Sequence, residues 1–369
     1  MIAPASSSRI RVGIVGAGEW AHFGHLPVLK SLPEYELLAV ATTRIATAQR
    51  AADKFAIPHA YDRFEPLIAR PDLDLVVVNT RAPEHEPVAR AAIAAGKHVY
   101  CEWPLTTSTT RSVELFEAAE KAGVRHVIGL QRRMAASSRY LRELLEEGFV
   151  GEVRSVRLHV SEPSFFKRRP AVLAFTIPVE NFSSVVSIYG GHFLDMLFTV
   201  VGEPREFTAL VASQFGQVTI EETGETIVTT APDQMLLSGT LTAGAVFSVH
   251  VEGGKRNQFG VQLDITGTEG DLRVTNGEAF GDKQDSLIEG ARGSRQPLAT
   301  LPVPERLRWL PRLDLHGSIL ELANLYAAFA RDLAEGTHHA PTFADAVRMH
   351  RLLDAIGEAS GSGQRQRWS

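Results

Sequence analysis

The sequence predicts a doubly wound parallel α/β sheet at its N-terminal end, joined to an α+β domain built on a large, mainly antiparallel open sheet. Three observations carry that reading. The β-branched run Ile10-Arg-Val-Gly-Ile-Val15 passes directly into the glycine-rich turn Gly16-Ala-Gly18-Glu-Trp-Ala21. Strand-length apolar runs and helical segments then alternate as far as Gly129. Past Glu147 the hydrophobic period drops to two, the mark of strands with one buried and one wet face.

Val12, Ile14 and Val15 fit a buried parallel strand, and Gly16 allows the tight turn after it. Gly18 lets backbone N–H groups approach a pyrophosphate at the positive end of the next helix, while Ala21 stands where a third glycine would permit close helix packing. The turn therefore predicts a bound dinucleotide. Phe23, Leu26, Val28 and Leu29 give the following helix its apolar side, and Pro27 is expected to kink or end it. A second strand from Glu36 to Thr42 and a helix from Ile45 to Phe55 come next. Leu73 to Val78 reads as a buried strand, Glu86 to Ala95 as a helix stopped by Gly96, and His98 to Glu102 as a strand. Arg111 to Ala122 is a helix stopped by Gly123, and Arg125 to Gly129 the last strand of the series. Right-handed crossovers place a ligand at the C-terminal strand ends.

After a helix from Ser138 to Glu147, alternation marks three strands. Val156, Leu158 and Val160 alternate with Arg157 and His159; Phe247, Val249 and Val251 with Ser248 and His250; Val261, Leu263 and Ile265 with Gln262, Asp264 and Thr266. A helix from Gly190 to Val201 interrupts them, and helices from Ile319 to Glu335 and from Phe343 to Ala359 close the chain. Gly281 to Arg306 is expected to be an excursion loop and Gly361 to Ser369 a mobile tail. The expected division is a dinucleotide-binding domain over 1–132, an α+β domain over 133–342 to which the resemblance described below assigns substrate binding and oligomerisation, and a closing helix and tail over 343–369 that packs back near the first domain.

With 369 residues and 44% hydrophobic content the chain can bury large cores, and its net charge of -5 gives no basic field for nucleic acid. No apolar run is expected to approach membrane-spanning length, and Met1 to Arg9 reads as a short disordered lead and not a signal peptide. The single cysteine, Cys101, excludes an internal disulfide and fits a reducing cytoplasm. Lys167-Arg168-Arg169-Pro170 is a local basic cluster, read as a solvated charge run, with attraction of an anionic substrate as the alternative. His338-His339 lacks a third ligand at recognisable spacing, so no metal site is expected there.

The glycine turn, Val78-Asn-Thr80 followed by His85, the run Ala95-Gly-Lys-His-Val-Tyr-Cys-Glu-Trp-Pro104, and Glu147-Gly-Phe-Val-Gly-Glu152 together resemble the glucose-fructose oxidoreductase/inositol dehydrogenase/MocA superfamily. That resemblance implies a Rossmann domain holding NAD(P), an open-sheet domain supplying substrate contacts and a subunit interface, and hydride transfer on sugars, polyols or related carbonyl compounds. Glu102-Trp103, Leu130-Gln131, Gly191-His192 with Asp195, Pro232 to Leu241, Gly253-Gly-Lys255 and Asp264 to Leu272 are similar to the branch of the fungal galactose-pathway repressors. Those repressors bind NAD(P) and regulate a transcription activator.

Typical members carry Glu-Lys-Pro where this chain has Glu102-Trp103-Pro104, and an aspartate where it has Ile188. An indole accepts no proton, so Trp103 cannot replace the lysine as an acid or base. His192 is what remains of the family's catalytic trio. It is the candidate proton donor, with Asp195 one turn on to orient it, and a histidine bonded to backbone is the alternative. Tyr189 and Lys255 are reserve donors. Trp103 reads as a stacking wall favouring a planar or hydrophobic substrate, or as packing alone. Biliverdin reductases are similar in having an aromatic residue at that position. The candidate catalytic set is thus His192, Asp195, Trp103 and Tyr189.

The candidate cofactor set is Gly16, Gly18, Glu19, Trp20, Thr43, Arg44, Thr80, His85, Glu102 and Gln131. NAD enzymes usually end the second strand in a carboxylate, whereas Thr42-Thr43-Arg44 stands here, so NADP(H) is preferred over NAD(H), with Arg44 as an ordinary surface cation the alternative. His22, His25 and His85 fall near these turns and also read as structural. Arg132 either reaches substrate or forms a solvated ion pair. Function divides between an NAD(P)-dependent oxidoreductase, a cofactor-binding regulator without turnover, and redox-neutral glycoside chemistry. A small-molecule substrate, a homodimer through the second sheet and a cytoplasmic location complete the expectations, with no nucleic-acid or membrane partner.

Overall fold

The computed structural model describes residues 9–257, 260–281, 284–310 and 313–368. Residues 1–8 of the expected disordered lead, Asp282 and Lys283 of the expected excursion loop, and Ser369 of the tail lie outside the described residues. The chain forms two compact units, one of residues up to Gln131 together with Leu322–Arg348, the other of Arg132–Glu321 with Met349–Ser369.

The first unit is a parallel sheet of β1 (Ile10–Val15), β2 (Tyr35–Ala41), β3 (His59–Tyr61), β4 (Leu75–Val78), β5 (His98–Glu102) and β6 (His126–Gly129), ordered β3-β2-β1-β4-β5-β6. Order reverses between β1 and β4, so the carboxyl ends there open a crevice. Gly16 N–H donates to Ala41 O at 2.9 Å and Asn79 N–H to Val15 O at 2.8 Å, tying together three strand ends. Helices α1 (Leu26–Ser31), α2 (Ile45–Phe55), α3 (Phe64–Ile68), α4 (His85–Ala94) and α5 (Thr109–Ala122) connect the strands. Residues 19–31 are helical throughout, with a π turn at Ala21–His25 ahead of α1. Pro27 does not end the helix: the wider π turn ahead of it breaks the regular i→i−4 ladder where the proline lacks an N–H.

Residues 322–342, expected with the second domain, belong to the first unit. Tyr326 of α8 (Gly317–Glu335) is fully buried, stacked on Tyr100 at 4.9 Å, and its carbonyl accepts from the Tyr35 hydroxyl at 2.7 Å. Ile128 N–H on the edge strand β6 donates to Pro341 O at 3.0 Å, and Phe343 stacks on His126 at 4.7 Å. Residues 349–369, expected near the first domain, group with the second unit. Local periodicity cannot reveal which core a terminal helix joins.

The second unit contains α6 (Ala136–Glu146) and α7 (Gly191–Val201) with β7 (Val153–Glu162), β8 (Arg168–Arg169), β9 (Pro204–Ala212), β10 (Gln217–Ile220), β11 (Thr226–Val228), β12 (Gln234–Leu241), β13 (Val246–Gly253), β14 (Gly260–Gly267), β15 (Gly270–Asn276), β16 (Leu287–Arg292), β17 (Ala299–Thr300), α9 (Phe343–Ser362, its later part) and β18 (Gln366–Arg367). Nine strands form one sheet in the order β17-β16-β15-β14-β7-β13-β12-β9-β18, antiparallel except for β7 beside β13. A separate small sheet joins β11, β10 and β8. Val156, Leu158, Val160, Phe247, Val249 and Val251 are buried on one face, where Phe198 of α7 meets Phe247 edge-on at 5.6 Å. Arg157, His159, Ser248 and His250 point to the other face, which stays half-buried or exposed.

Two expected irregular segments are strands. The excursion loop holds β16 and β17, whose short runs lack a periodic signal, and β16 pairs with β15 from Gly270↔Arg292 to Thr275↔Leu287. The tail pairs as β18 with β9 and forms the edge of the sheet, and Trp368 N–H donates to Arg205 O at 2.9 Å. Contrary to the expectation that no apolar run approaches membrane-spanning length, Val179–Val201 is long and apolar enough to cross a membrane, with mean hydropathy 1.4. Its apolar window is 72% buried, as befits a core segment.

His350 on α9 is fully buried and stacks on Phe182 at 4.8 Å; burial lowers its pKa to about 3. The unfolded chain therefore binds this proton below about pH 6.5 while the folded chain does not, so stability falls as pH drops from about 6.5 towards 3. His350→Leu is expected to flatten the slope of urea stability against pH across that window; an unchanged slope would refute the assignment.

Candidate functional site

Within the first unit the glycine turn is shaped by contact. Gly16 has φ of +99°, and a Cβ there would lie 2.2 Å from Asn79 O, so glycine is required. Gly18 meets nothing within 4 Å of a built Cβ, which leaves room above the helix start for a ligand to reach its free N–H groups. Thr80 Oγ1 and Gln131 Oε1 are buried and find no hydrogen-bond partner among the described residues. Polar atoms of that kind are costly unless a ligand or water completes them. Open space and orphaned polar atoms together fit a dinucleotide on these strand ends.

The other expected cofactor residues divide. Glu19 is exposed, and Trp20 is half-buried with its ring edge-on to Phe23 at 5.2 Å and to His25 at 5.7 Å. Thr43 and Arg44 are exposed at the start of α2, where Thr42 Oγ1 donates to Arg44 O at 2.8 Å. Arg50 and Lys54 on the same helix went unnoticed in the sequence. Both place positive charge near His22, whose pKa is lowered by burial and then by these two cations.

His85 has both ring nitrogens against backbone carbonyls. It is 2% exposed, with Nδ1 2.6 Å from Pro104 O and Nε2 3.0 Å from Thr80 O, so it is a strut between two backbone turns. Burial lowers its pKa. Glu102 anchors an internal network: Oε1 accepts from the Tyr100 hydroxyl at 2.8 Å and lies 3.1 Å from His25 Nε2, while His25 Nδ1 is 2.7 Å from the Tyr326 hydroxyl. His25 is structural, as read. Trp103 is buried and joined to Pro104 by a cis peptide.

In the second unit, His192 lies on α7 and is 4% exposed. Phe280 meets it edge-on at 5.0 Å and meets Tyr189 at 4.9 Å. The Tyr189 hydroxyl is hydrogen-bonded to Glu162, and burial raises its pKa well above the ordinary value, with Glu162 adding to the effect. Arg132 is buried, not solvated. Its guanidinium lies over Phe193 at 4.3 Å and Phe280 at 4.4 Å, donates to Ala279 O, and stands 3.6 Å from Glu321. Burial pushes the Arg132 pKa down and the Glu321 pKa up, each opposed by the other's charge.

Asp195 is 1% exposed and receives the forked guanidinium of Arg133, with Nε to Oδ2 at 2.8 Å and the other arm to Oδ1. The carboxylate assigned to orienting His192 thus carries a structural ion pair, and the doublet Arg132-Arg133 was the signal for it. Lys255 Nζ donates to Glu252 Oε1 at 2.9 Å on the sheet, which commits that reserve donor. The basic run also splits: Lys167 and Arg168 are exposed, whereas Arg169 is buried and donates to Phe166 O at 3.0 Å and Thr176 Oγ1 at 2.8 Å.

Residues 10–130 match the family model described as an oxidoreductase family with an NAD-binding Rossmann fold, and residues 137–276 match the model of the Gal80p C-terminal domain. The chain is 28% identical to the dehydrogenase aclE of Aspergillus oryzae, over 97% of this chain and 98% of that protein. It is 26% identical to the galactose/lactose metabolism regulatory protein GAL80 of Kluyveromyces lactis, over 74% of this chain and 65% of that protein. A levoglucosan dehydrogenase solved with NADH and L-sorbose superposes with TM-score 0.85 at 21% identity, covering 98% of this chain and 99% of that one. That last likeness is one of fold.

Asp195→Ala is expected to lower unfolding stability by about 3 kcal/mol or more, because it leaves the Arg133 charge without its buried partner. Urea denaturation measures this, and a value within about 0.5 kcal/mol of the parent would contradict it.

Proposed function

The chain belongs to the Gfo/Idh/MocA oxidoreductase family, and from that premise we propose that it is an NADP(H)-dependent oxidoreductase acting on a small sugar-like or other carbonyl or hydroxyl compound. The observation that carries the proposal is the open Gly16–Gly18 turn beside the unpartnered Thr80 and Gln131 atoms. When bound, the nicotinamide supplies or accepts the hydride. The chain's own residues position and protonate. Helix-start N–H groups hold the diphosphate. His192, as general acid, gives a proton to the substrate oxygen on reduction and takes it back on oxidation, the role the absent lysine has elsewhere in the family. Phe280 meets both His192 and Tyr189, and this aromatic setting favours a planar or weakly polar substrate face.

Exposed Arg44, with Arg50 and Lys54 on the same helix and no carboxylate ending β2, supports the choice of NADP(H) over NAD(H) through charge-assisted bonds to a 2′-phosphate. The outer sheet face, where Leu210, Leu236 and Val246 are exposed, supports a homodimer. A cytoplasmic location follows from the same reading, with no nucleic-acid or membrane partner. One observation favours a second reading, a regulator that binds cofactor without turnover: residues 137–276 match the Gal80p C-terminal domain and Trp103 stands where a lysine is usual.

Arg44→Ala is expected to weaken NADPH binding by about tenfold and to leave NADH binding unchanged. Equal effects on both would overturn the NADP assignment. NADPH oxidation with a panel of ketoses, aldoses, imines and planar ketones, abolished by His192→Ala, is the expected result for the enzyme. Tight binding without turnover across the panel supports the regulator, and binding of neither pyridine nucleotide sinks both.

A further inference from the structure

The outer face of the nine-stranded sheet holds a side-chain group that neither the cofactor nor the substrate reading uses. His159 on β7 and His250 on β13 are register partners in the parallel pair, and alternation puts Glu252 on the same face. The imidazoles stack at 5.3 Å with 21° between planes, and His159 Nε2 lies 2.8 Å from Glu252 Oε1. One nitrogen from each histidine and one Glu252 oxygen all lie within 4.8 Å of one another. All three residues are half-buried.

We propose that His159, His250 and Glu252 form a binding site for a divalent transition metal of the zinc class. Two imidazoles and a carboxylate are the donors such ions take, with remaining positions open to water. Metal bonds of about 2.0–2.2 Å require the three donor atoms to draw together by roughly 1 Å, which side-chain rotation supplies without moving the strands. Because the paired strands fix the Cα positions, no loop must be ordered on binding. Gln234 Oε1, 3.1 Å from His250 Nε2, steadies the ring from outside the donor set.

Charge in the group is already arranged around a cation. Lys255 Nζ is 2.9 Å from Glu252 Oε1, the place a metal would take, so binding displaces the ammonium to solvent. Burial disfavours the Glu252 carboxylate, but hydrogen bonds from Lys255 and His159 hold its pKa below the ordinary value. Burial, aided by His159 and Lys255 against the pull of Glu252, lowers the His250 pKa and leaves that ring neutral. Ionised carboxylate and neutral imidazole are the ligating forms.

Calorimetric titration of the untagged full chain with zinc chloride is expected to show a single site per chain. His159→Gln and His250→Gln should each weaken zinc binding by about tenfold or more while preserving the far-ultraviolet dichroism of the parent. Cobalt(II) in place of zinc should give visible absorption bands that the same substitutions remove. Lys255→Met should tighten zinc binding by several-fold, since it removes the competing ammonium, and it reads the site even where a histidine variant fails to fold. No zinc heat, histidine variants that bind as the parent does, or an unchanged or weaker affinity in Lys255→Met would overturn the proposal. Because the dimer reading concerns the same face, sedimentation with and without zinc separates metal binding from self-association.

Discussion

Gly16 crosses the end of β4 so closely that a single methyl group would sit 2.2 Å from Asn79 O, and its φ of +99° lies where L-residues are strained. Everything at the cofactor end of the first unit follows from that crossing. It lets Gly16 N–H reach Ala41 O while Asn79 N–H reaches Val15 O, so the ends of β1, β2 and β4 close as a tied group. The chain then enters its helix with Gly18 clear of other atoms, and the helix N–H groups open onto that space. Thr80, just past the end of β4, and Gln131, just past β6, keep buried polar atoms without hydrogen-bond partners among the described residues, both beyond carboxyl ends of the parallel strands. A bulkier residue at position 16 would therefore disturb three strand ends before it disturbed a ligand.

The second unit depends on a different balance, buried charge held by rings and by opposite charge. Arg132 lies over Phe193 and Phe280, and Arg133 is forked by Asp195. Desolvating guanidinium and carboxylate groups costs several kcal/mol each, so such pairs specify geometry more than they add stability. Here they fix the residues around His192. Phe280 touches His192, Tyr189, Phe193 and Arg132 at once, which makes it the ring on which this cluster turns.

The first sheet was legible because strands buried on both faces and helices of fixed period leave strong local signals; the helix Ile45–Phe55 and the strand His98–Glu102 have the bounds their residues suggested. The long strands β7, β13 and β14 were legible by alternation. β16 and β18 were not, because a strand of six residues carrying Gly290, or one of two residues, is formed by its neighbour and not by its own pattern. The same holds at the site. The glycine turn announces itself in sequence, whereas the pairing of Asp195 with Arg133, the strut made by His85 and the burial of Arg169 depend on residues distant in the chain or on solvent exclusion. His159 and His250 each looked like an outward polar residue on its own strand, and only strand register joins them.

The Trp103 indole supplies neither a cation nor a proton carrier, so the proposed oxidoreductase reading has to find its proton elsewhere. A hydride acceptor becomes an alkoxide, which needs a proton or a strong donor within hydrogen-bond reach. Arg132 and Arg133 are committed to Glu321 and Asp195, and Lys255 to Glu252. Tyr189 is bonded to Glu162 and its pKa is raised well above the ordinary value by burial, so it holds its proton firmly. Of the sequence-derived donors, His192 carries the imidazole, the side chain that most often serves as a general acid and base. On the proposed oxidoreductase reading the proton would pass through the imidazole at 192, an imidazolium being a stronger acid than a lysine ammonium. A chain selected only to hold cofactor would have no such requirement on residue 192.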